Sequence, residues 1–395
     1  MSTFNTARAV RSLLLILAAL SWLVSCGGAD SGGTGGGAVA VGPISGLGSI
    51  IVNGVRFDDR TAAIQDDEGA VRTRSDLQLG VFTEVEATGL TGSGGNQRAT
   101  ATHVRIRSEI IGPIDSVDPS TSILTVLGQT VLITPATAFD PGLTGGLAGL
   151  QTGAVVEVYG RFDAVRGRYA ATRIEPRSNA SFYKLRGLVA SVDAATKTLT
   201  IGAQTISYAG LAVSDLPNIA VGNLVRATLM PASSAGIWNA TALAVGIVRL
   251  PDSEDAQIEG RISSWTSSHQ FSVDGIDVDA SRASFPDGEA AVLLGARVEV
   301  EGSSSLGVLH ARVVKAEGDE DANNSVFELH GSIETLDAST KTLTLRGVTV
   351  EYGGSVQYQG GSVIDLAVGR AIGVQGVLSN DGHRLVAQQI SFESN

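Results

Sequence analysis

Apolar and polar residues alternate along most of the chain after residue 41, in short runs that break at glycine. An apolar period of two predicts β-strands, and two such runs around a tight turn predict a hairpin. Asn53-Gly54 and Asp274-Gly275 are strong turn signals because these residues tolerate positive φ. No sustained period of 3.6 residues follows the N-terminal segment, so the chain is predicted to be all-β. Equivalent hairpin runs begin at Ile50, Leu124, Leu199, Phe271 and Leu343.

These runs belong to a repeating unit. The phrase DAATKTLTI at Asp193 returns as DASTKTLTL at Asp337, 144 residues later. Each unit reads as a strand, a hairpin pair, a short helical turn and two further strands, which is the outline of an OB-like barrel. The predicted fold is a tandem array of about five small OB-like β-barrel repeats. Similar phrases open at Gly42, Gly112, Gly187, Gly260 and Gly331, at spacings of 70, 75, 73 and 71 residues.

The repeat spacing gives a predicted domain organisation. A signal segment and a tether precede the repeats, and each repeat of about seventy residues has a small core, so neighbouring repeats are expected to share interfaces. The predicted boundaries are 1–25 for a signal peptide, 26–41 for a lipidated Cys and Gly-rich linker, and 42–109, 110–178, 179–250, 251–321 and 322–395 for repeats 1 to 5.

The N-terminus is typical of an exported, lipid-anchored protein. Arg8 and Arg11 precede a short apolar stretch, which is the pattern of a secretory signal. Leu23-Val24-Ser25-Cys26 resembles a bacterial lipobox, in which the Cys receives a diacylglyceryl group; the alternative is an ordinary signal peptide with an incidental Cys. Acylation of Cys26, the chain's one Cys, would leave no thiol for disulfides or metal. The resemblance implies an outer-membrane lipoprotein that faces the periplasm or the cell surface.

The repeats also resemble a known family. The run GPISGLGSIIVNGVRFDDRTAAIQDDEG from Gly42, with the later phrases VEVYG and ATRIE, is similar to bacterial lipoproteins built from the domain of unknown function 5666. The likeness extends over nearly all of the mature chain and is clearest in repeats 1 and 2. The resemblance implies a fold and a cellular location, and it supplies no catalytic residues.

Charge is concentrated in repeat 4. The whole chain carries a formal charge of −12, and residues 251–321 hold fifteen acidic and five basic residues. Asp274, Asp277 and Asp279 on the predicted hairpin are candidate ligands for a divalent cation, since Ca²⁺ prefers several carboxylate and carbonyl oxygens. The favoured interpretation is a solubilising face that protects strand edges, because no EF-hand spacing is present.

Basic and aromatic residues interleave between Tyr159 and Arg186. Arginines beside aromatic rings can stack on sugars or hold anionic groups, and OB-like barrels bind such ligands. The favoured alternative places the arginines outward on the last strands of repeat 2, with the aromatics packed against repeat 3. Nucleic acid is disfavoured by the acidic charge and by export. The candidate ligand-binding residues are Tyr159, Arg161, Phe162, Arg168, Tyr169 and Arg173.

The chain contains no common catalytic motif, and its five histidines are scattered over different repeats. The first hypothesis is therefore a non-enzymatic, surface-anchored lipoprotein that acts as a binding or scaffolding module. The alternatives are a structural envelope protein without a small ligand, or an enzyme with no recognisable motif. We expect no cofactor, a membrane contact through the lipid, and an envelope protein or polysaccharide as the partner.

Overall fold

The computed structural model describes residues 37–92, 96–212, 218–245, 250–318 and 325–393. The predicted signal segment, Cys26 and most of the linker lie outside the described residues. Twenty-nine strands and four short helical turns are present in the described part of the chain. The strands close into five small β-barrels, so the predicted fold class is confirmed.

The strand bounds follow the repeat order. Barrel 1 contains β1 (Ala38–Leu47), β2 (Ile50–Val52), β3 (Val55–Asp58), β4 (Ala63–Asp66), β5 (Phe82–Ala87) and β6 (Arg98–Ile106). Barrel 2 contains β7 (Ile110–Asp118), β8 (Ile123–Val126), β9 (Gln129–Leu132), β10 (Ala138–Phe139), β11 (Val155–Asp163) and β12 (Arg168–Pro176). Barrel 3 contains β13 (Tyr183–Asp193), β14 (Thr198–Ile201), β15 (Gln204–Ser207), β16 (Leu224–Ser234) and β17 (Ile237–Val245).

Barrels 4 and 5 complete the set. Barrel 4 contains β18 (Ser253–Ser267), β19 (Gln270–Val273), β20 (Ile276–Asp279), β21 (Arg297–Ser305) and β22 (Val308–Glu317). Barrel 5 contains β23 (Phe327–Ser332), β24 (Thr335–Asp337), β25 (Thr342–Leu345), β26 (Val348–Glu351), β27 (Gln357–Gln359), β28 (Ala371–Leu378) and β29 (Arg384–Phe392). The helical turns are Arg74–Asp76, Gly146–Gly149, Glu289–Ala291 and Val363–Asp365.

Each barrel closes with the same strand order. In barrel 1, β1 pairs with β2, β2 with β3, β3 with β6 in parallel, β6 with β5, and β5 with β1. Barrels 2 to 5 repeat this circuit, with one parallel pairing between the third and last principal strands. In barrels 1, 2, 4 and 5, a helical turn lies between the third and fourth principal strands, as the sequence predicts for an OB-like barrel.

The repeated nine-residue phrase forms the turn between the first two strands of a barrel. Asp193 Oδ1 accepts hydrogen bonds from the backbone N–H groups of Ala195 (2.8 Å) and Thr196 (3.1 Å). Lys197 then adopts a left-handed conformation, with φ of 52°, before β14 begins. Asp337 makes the equivalent bonds in barrel 5. The phrase recurs because an aspartate can stabilise this turn through its own side chain.

The glycine that opens each repeat is required by the hairpin that follows it. Asn53 and Gly54 both have positive φ, as do Asp274 and Gly275, which confirms the two predicted turns. The first residue of such a turn packs back over the first strand. A Cβ on Gly112 would lie 2.3 Å from Leu127 Cγ, closer than any real contact. Only glycine leaves room for the turn residue at that point.

The barrels are joined mainly through their first strands. β1 pairs in parallel with β18 of barrel 4 and with β23 of barrel 5, while β7 pairs with β13 between barrels 2 and 3. Apolar side chains form one buried cluster centred on barrels 1, 4 and 5 and a second in barrels 2 and 3. Barrel 1 therefore pairs with barrels that lie far from it in sequence, an arrangement that the repeat spacing does not predict.

The predicted linker ends earlier than residue 41. Ala38, Val39, Ala40 and Val41 belong to β1, where all four are buried and pair with both β5 and β18. The apolar sequence of these residues explains the difference, because burying them between two barrels removes apolar surface from water. In the described residues, no helix has the length and apolar character needed to cross a membrane.

Candidate functional site

A cleft of about 440 Å³ opens where barrels 1, 2 and 4 meet the start of barrel 5. Ile44 and Asn53 line it from barrel 1, Arg161 from barrel 2, Arg297 from barrel 4 and Phe327 from barrel 5. Cavities of about 300–1,000 Å³ at the junctions of domains are the usual location of small-molecule sites. Its walls therefore depend on how the barrels assemble.

An ion-pair cluster forms the polar wall of this cleft. Arg161 Nη2 on β11 donates to Glu259 Oε1 on β18 at 2.8 Å, and Arg297 Nε at the start of β21 donates to the same oxygen at 2.9 Å. Arg297 Nη2 is a third donor to Oε1. The two guanidinium groups lower the pKa of the Glu259 carboxyl even though burial alone would raise it. Glu259 therefore carries a negative charge inside the assembly.

The arginines hold more donors than Glu259 can accept. Nε of Arg161 and Nη1 of Arg297 are buried without a hydrogen-bond partner. Burial lowers the pKa of Arg161, partly offset by the attraction of Glu259. The Arg161 guanidinium also lies 5.6 Å from the ring centroid of Phe82 in barrel 1, within the range of a cation–π contact. Arg161 thus contacts both barrel 1 and barrel 4.

A second carboxylate extends the polar wall. Glu299 on β21 lies opposite Glu259 in the pairing of β18 with β21. Lys315 Nζ lies 3.2 Å from Glu299 Oε2, and Gln257 Nε2 donates to Glu299 Oε1. Glu299 is therefore held in place by its own barrel. The lining also includes small side chains, among them Ala136 and Ala170.

The six candidate ligand-binding residues lie at or near contacts between barrels. Among them, Arg161 lines the cleft. Tyr159, Tyr169 and Arg173 are buried, the ring of Phe162 packs against Tyr169 at 4.9 Å between centroids, and Arg168 is half-buried at the start of β12.

The buried members of this group hold the assembly together. Tyr169 donates its hydroxyl to the Arg186 carbonyl of barrel 3. Arg173 Nη1 donates to the Leu79 carbonyl of barrel 1 at 3.2 Å, and its Nε donates to Glu175 at 2.6 Å. Arg161 and Arg173 contact other barrels rather than solvent, so for these two the expectation of an outward-facing position is not met, whereas the Arg166 side chain is 49% exposed.

The three acidic candidates of barrel 4 take different partners. Asp274 lies beside buried arginines, and burial raises the pKa of its carboxyl to about 6 despite the attraction of Arg107 and Arg161. Asp277 Oδ1 accepts from the Ser272 hydroxyl at 2.8 Å, while Asp279 lies 3.4 Å from His310. Within the described residues, no group of three or more His, Cys, Asp or Glu side chains is arranged to hold a metal ion.

Asp277 and Asp279 instead line a second, open groove of about 620 Å³ on the outer face of barrel 4. The groove is bordered mainly by hydroxyl groups, such as those of Ser264 and Ser272, which lie 3.1 Å apart. It belongs to one barrel and contains no charge pair between barrels. We therefore take the first cleft as the candidate site.

Glu259 and Arg297 were not singled out by the sequence analysis. The position just before the opening glycine carries Glu259 in repeat 4, Val41 and Ile111 in repeats 1 and 2, and Arg186 and His330 in repeats 3 and 5. Because the residue type varies at this position, Glu259 did not stand out in the sequence. Arg297 had no distinguishing signal either.

Comparison with protein families confirms the resemblance to DUF5666 repeats, in repeats 2, 4 and 5. Three segments, residues 111–175, 259–326 and 330–391, match the family model described as Domain of unknown function (DUF5666). They coincide with most of barrels 2, 4 and 5. The comparison with curated proteins found no match. Barrels 2, 4 and 5 of this chain therefore belong to the DUF5666 family.

Proposed function

We propose that this protein is a lipid-anchored binding module of the bacterial cell envelope, with the cleft between barrels 1, 2, 4 and 5 as its binding site. The lipobox-like sequence at Cys26 supports the anchor. Two or more acyl chains give stable membrane attachment. The same signal supports an outer-membrane location.

The observation that carries the binding role is the construction of the cleft. Its walls come from barrels that are fixed by strand pairing and by the pairs Arg161–Glu259 and Arg297–Glu259. Walls held in this way lose little conformational entropy when a ligand binds. A rigid cleft with a few placed polar groups is suited to binding, and it needs no catalytic group for that role.

The anchor is tested by Cys26→Ser in the intact chain. We expect the substitution to block lipid attachment and to move the protein from the membrane fraction to the soluble fraction, or to leave the signal uncleaved. Fractionation and metabolic labelling with a radioactive fatty acid measure both effects. Unchanged labelling and unchanged membrane partition of the variant would exclude lipidation at Cys26.

The binding role is tested by crosslinking on intact cells. A photoreactive amino acid placed at Ser45, on the rim of the cleft, should crosslink to an envelope component. The same residue at Ala209, an exposed position in barrel 3, is the matched control. If the two positions give the same products, or if Ser45 gives none, the cleft is not the binding surface.

A further inference from the structure

The cleft that is proposed above as the binding site also restricts the charge of its ligand. Two cations, Arg161 and Arg297, and three carboxylates, Glu259, Glu299 and Glu317, line it. An anionic ligand would approach three carboxylates, and a cationic ligand would approach two guanidinium groups. Each would lose solvation without gaining an unopposed countercharge, and such losses cost several kcal/mol in a partly buried site. The lining therefore favours a neutral ligand.

The hydrogen-bonding groups favour a ligand that both donates and accepts. Both arginines donate to Oε1 of Glu259, so Oε2 remains as an acceptor without a donor among the described residues. Guanidinium groups supply donors only, and carboxylates supply acceptors only. The Thr172 hydroxyl donates to the Gly80 carbonyl at 2.6 Å and can accept from a ligand, and the Thr134 hydroxyl can donate and accept. Several hydroxyl groups on one ligand would complement this alternation of donors and acceptors.

Apolar side chains also line the cleft. They include Ile44 and Phe327 and the small side chains of Ala136, Ala170 and Ala171. Apolar surface between polar groups matches the C–H faces of a sugar ring, whose hydroxyl groups project around its edge. The volume of about 440 Å³ suits one or two such rings rather than a long chain within the cleft.

We propose that this cleft binds a neutral saccharide of one or two rings. Glu259 and Glu299 accept hydrogen bonds from its hydroxyl groups, Arg161 donates to its ring or hydroxyl oxygens, and the alanines of β12 pack against a ring face. The ligand is either a free sugar or the end of an envelope polysaccharide. Both present the same neutral sugar rings and hydroxyl groups to the cleft. This inference rests on the proposed binding role and specifies its ligand.

The experiment measures saccharide binding to the full chain in detergent micelles by saturation-transfer NMR and calorimetry. The neutral probes are glucose, N-acetylglucosamine, maltose and chitobiose, and dextran tests a chain end. Glucuronate and glucosamine are the anionic and cationic analogues. We expect at least one neutral probe to bind at least tenfold more tightly than its charged analogues. Absence of binding by every neutral probe at 10 mM, or tighter binding of a charged analogue, overturns the proposal.

Two variants locate the binding. Ala136→Trp fills the cleft without touching the ion pairs, and it should weaken neutral saccharide binding at least tenfold. Ala209→Trp, at an exposed position of barrel 3, should leave binding unchanged. Thermal unfolding of both variants shows whether each is folded. Equal binding by the two folded variants would place the saccharide elsewhere and overturn the proposal.

A charge variant tests the reasoning if Ala136→Trp fails to fold. Glu299→Gln removes one negative charge from the lining, so it should raise the affinity for glucuronate relative to that for the neutral saccharide at least threefold. No gain for glucuronate would contradict the charge argument. If an envelope protein crosslinks at Ser45 while no saccharide binds, the ligand class is wrong and the broader binding role stands.

Discussion

Lys184 is a buried cation that joins two barrels far apart in sequence. It lies on β13 of barrel 3, its side chain is 1% exposed, and its Nζ lies 2.8 Å from Asp67 Oδ1 and 3.0 Å from Glu68 Oε1. Both acids follow β4 of barrel 1. Arg226 of barrel 3 also lies 3.3 Å from Asp67 Oδ2. The cluster thus contains two cations and two carboxylates at one interface.

We expect Lys184→Met to destabilise the protein by about 3–5 kcal/mol, because it leaves two buried carboxylates with one cation. Burial alone would raise the pKa of Asp67, but Lys184, a hydrogen bond with Glu68 and Arg226 lower it. Burial and the neighbouring Asp67 raise the pKa of Glu68. Removing Lys184 takes away the main attraction that keeps Asp67 ionised, so most of the loss is expected to come from that residue.

The pH dependence follows from the lowered pKa of Asp67. A carboxyl with a lowered pKa in the folded state stabilises the fold above its ordinary pKa of 3.8, and this contribution disappears as the pH falls through the folded value. The gap in stability between wild type and Lys184→Met should therefore be large at pH 7 and should shrink below about pH 4.

Urea unfolding measures the effect through the fluorescence of Trp238. This residue lies in barrel 3 and its ring packs against Tyr183, next to Lys184, at 5.6 Å between centroids. Substituting Phe for the other two tryptophans, Trp22 and Trp265, leaves Trp238 as the source of the tryptophan fluorescence.

The matched control removes three of the four charges together and leaves Arg226, whose side chain is 29% exposed. Asp67→Asn/Glu68→Gln/Lys184→Met replaces Lys184 and both carboxylates by neutral groups of similar shape and should recover most of the lost stability, because no uncompensated carboxylate remains at this position. A loss below 1 kcal/mol for Lys184→Met would refute the argument. A triple variant no more stable than the single one would refute it as well.

Two further substitutions test the reading of buried groups and of the repeat glycine. Because the pKa of Asp274 is raised to about 6, its ionised form opposes folding above that pH. Asp274→Asn should therefore raise the free energy of unfolding at pH 8, measured in urea, by up to about 3 kcal/mol, and it should have little effect at pH 4. A less stable variant at pH 8 would contradict this. Gly112→Ala should destabilise by more than 2 kcal/mol because its Cβ would overlap Leu127, whereas Gly54→Ala, which has open space and only a positive φ, should cost about 1 kcal/mol. Equal losses for the two glycine variants would rule out the overlap as the cause.

Local patterns in the sequence were sufficient to predict the barrel. The period of two predicted the strands, and Asn53-Gly54 and Asp274-Gly275 predicted turns that the structure contains. These features depend on residues a few positions apart, whose conformational preferences act within one hairpin. The predicted start of repeat 1, at residue 42, lies later than the start of β1 at Ala38. The burial of Ala38–Val41 depends on barrel 4, so it could not be predicted from repeat 1 alone.

The candidate site was predicted in part. Arg161 was singled out from its neighbours, but its partner Glu259 lies 98 residues away in another barrel. The arginines between Tyr159 and Arg186 looked outward in a single repeat, since alternate residues of a lone barrel face solvent. In the assembly, part of that face contacts other barrels, so Arg161, Arg173 and Arg186 become buried.

The sequence by itself determined the all-β class, the repeat, the turns and the strand order within a barrel, because hydrophobic periodicity and turn chemistry act over short distances. Only the tertiary structure decided that β1 joins barrels 4 and 5, and that Lys184 reaches Asp67 across 117 residues. Five similar barrels can pack in many orders, and the choice depends on the fit of whole surfaces and on a few buried charges. The cleft exists only as a consequence of that choice.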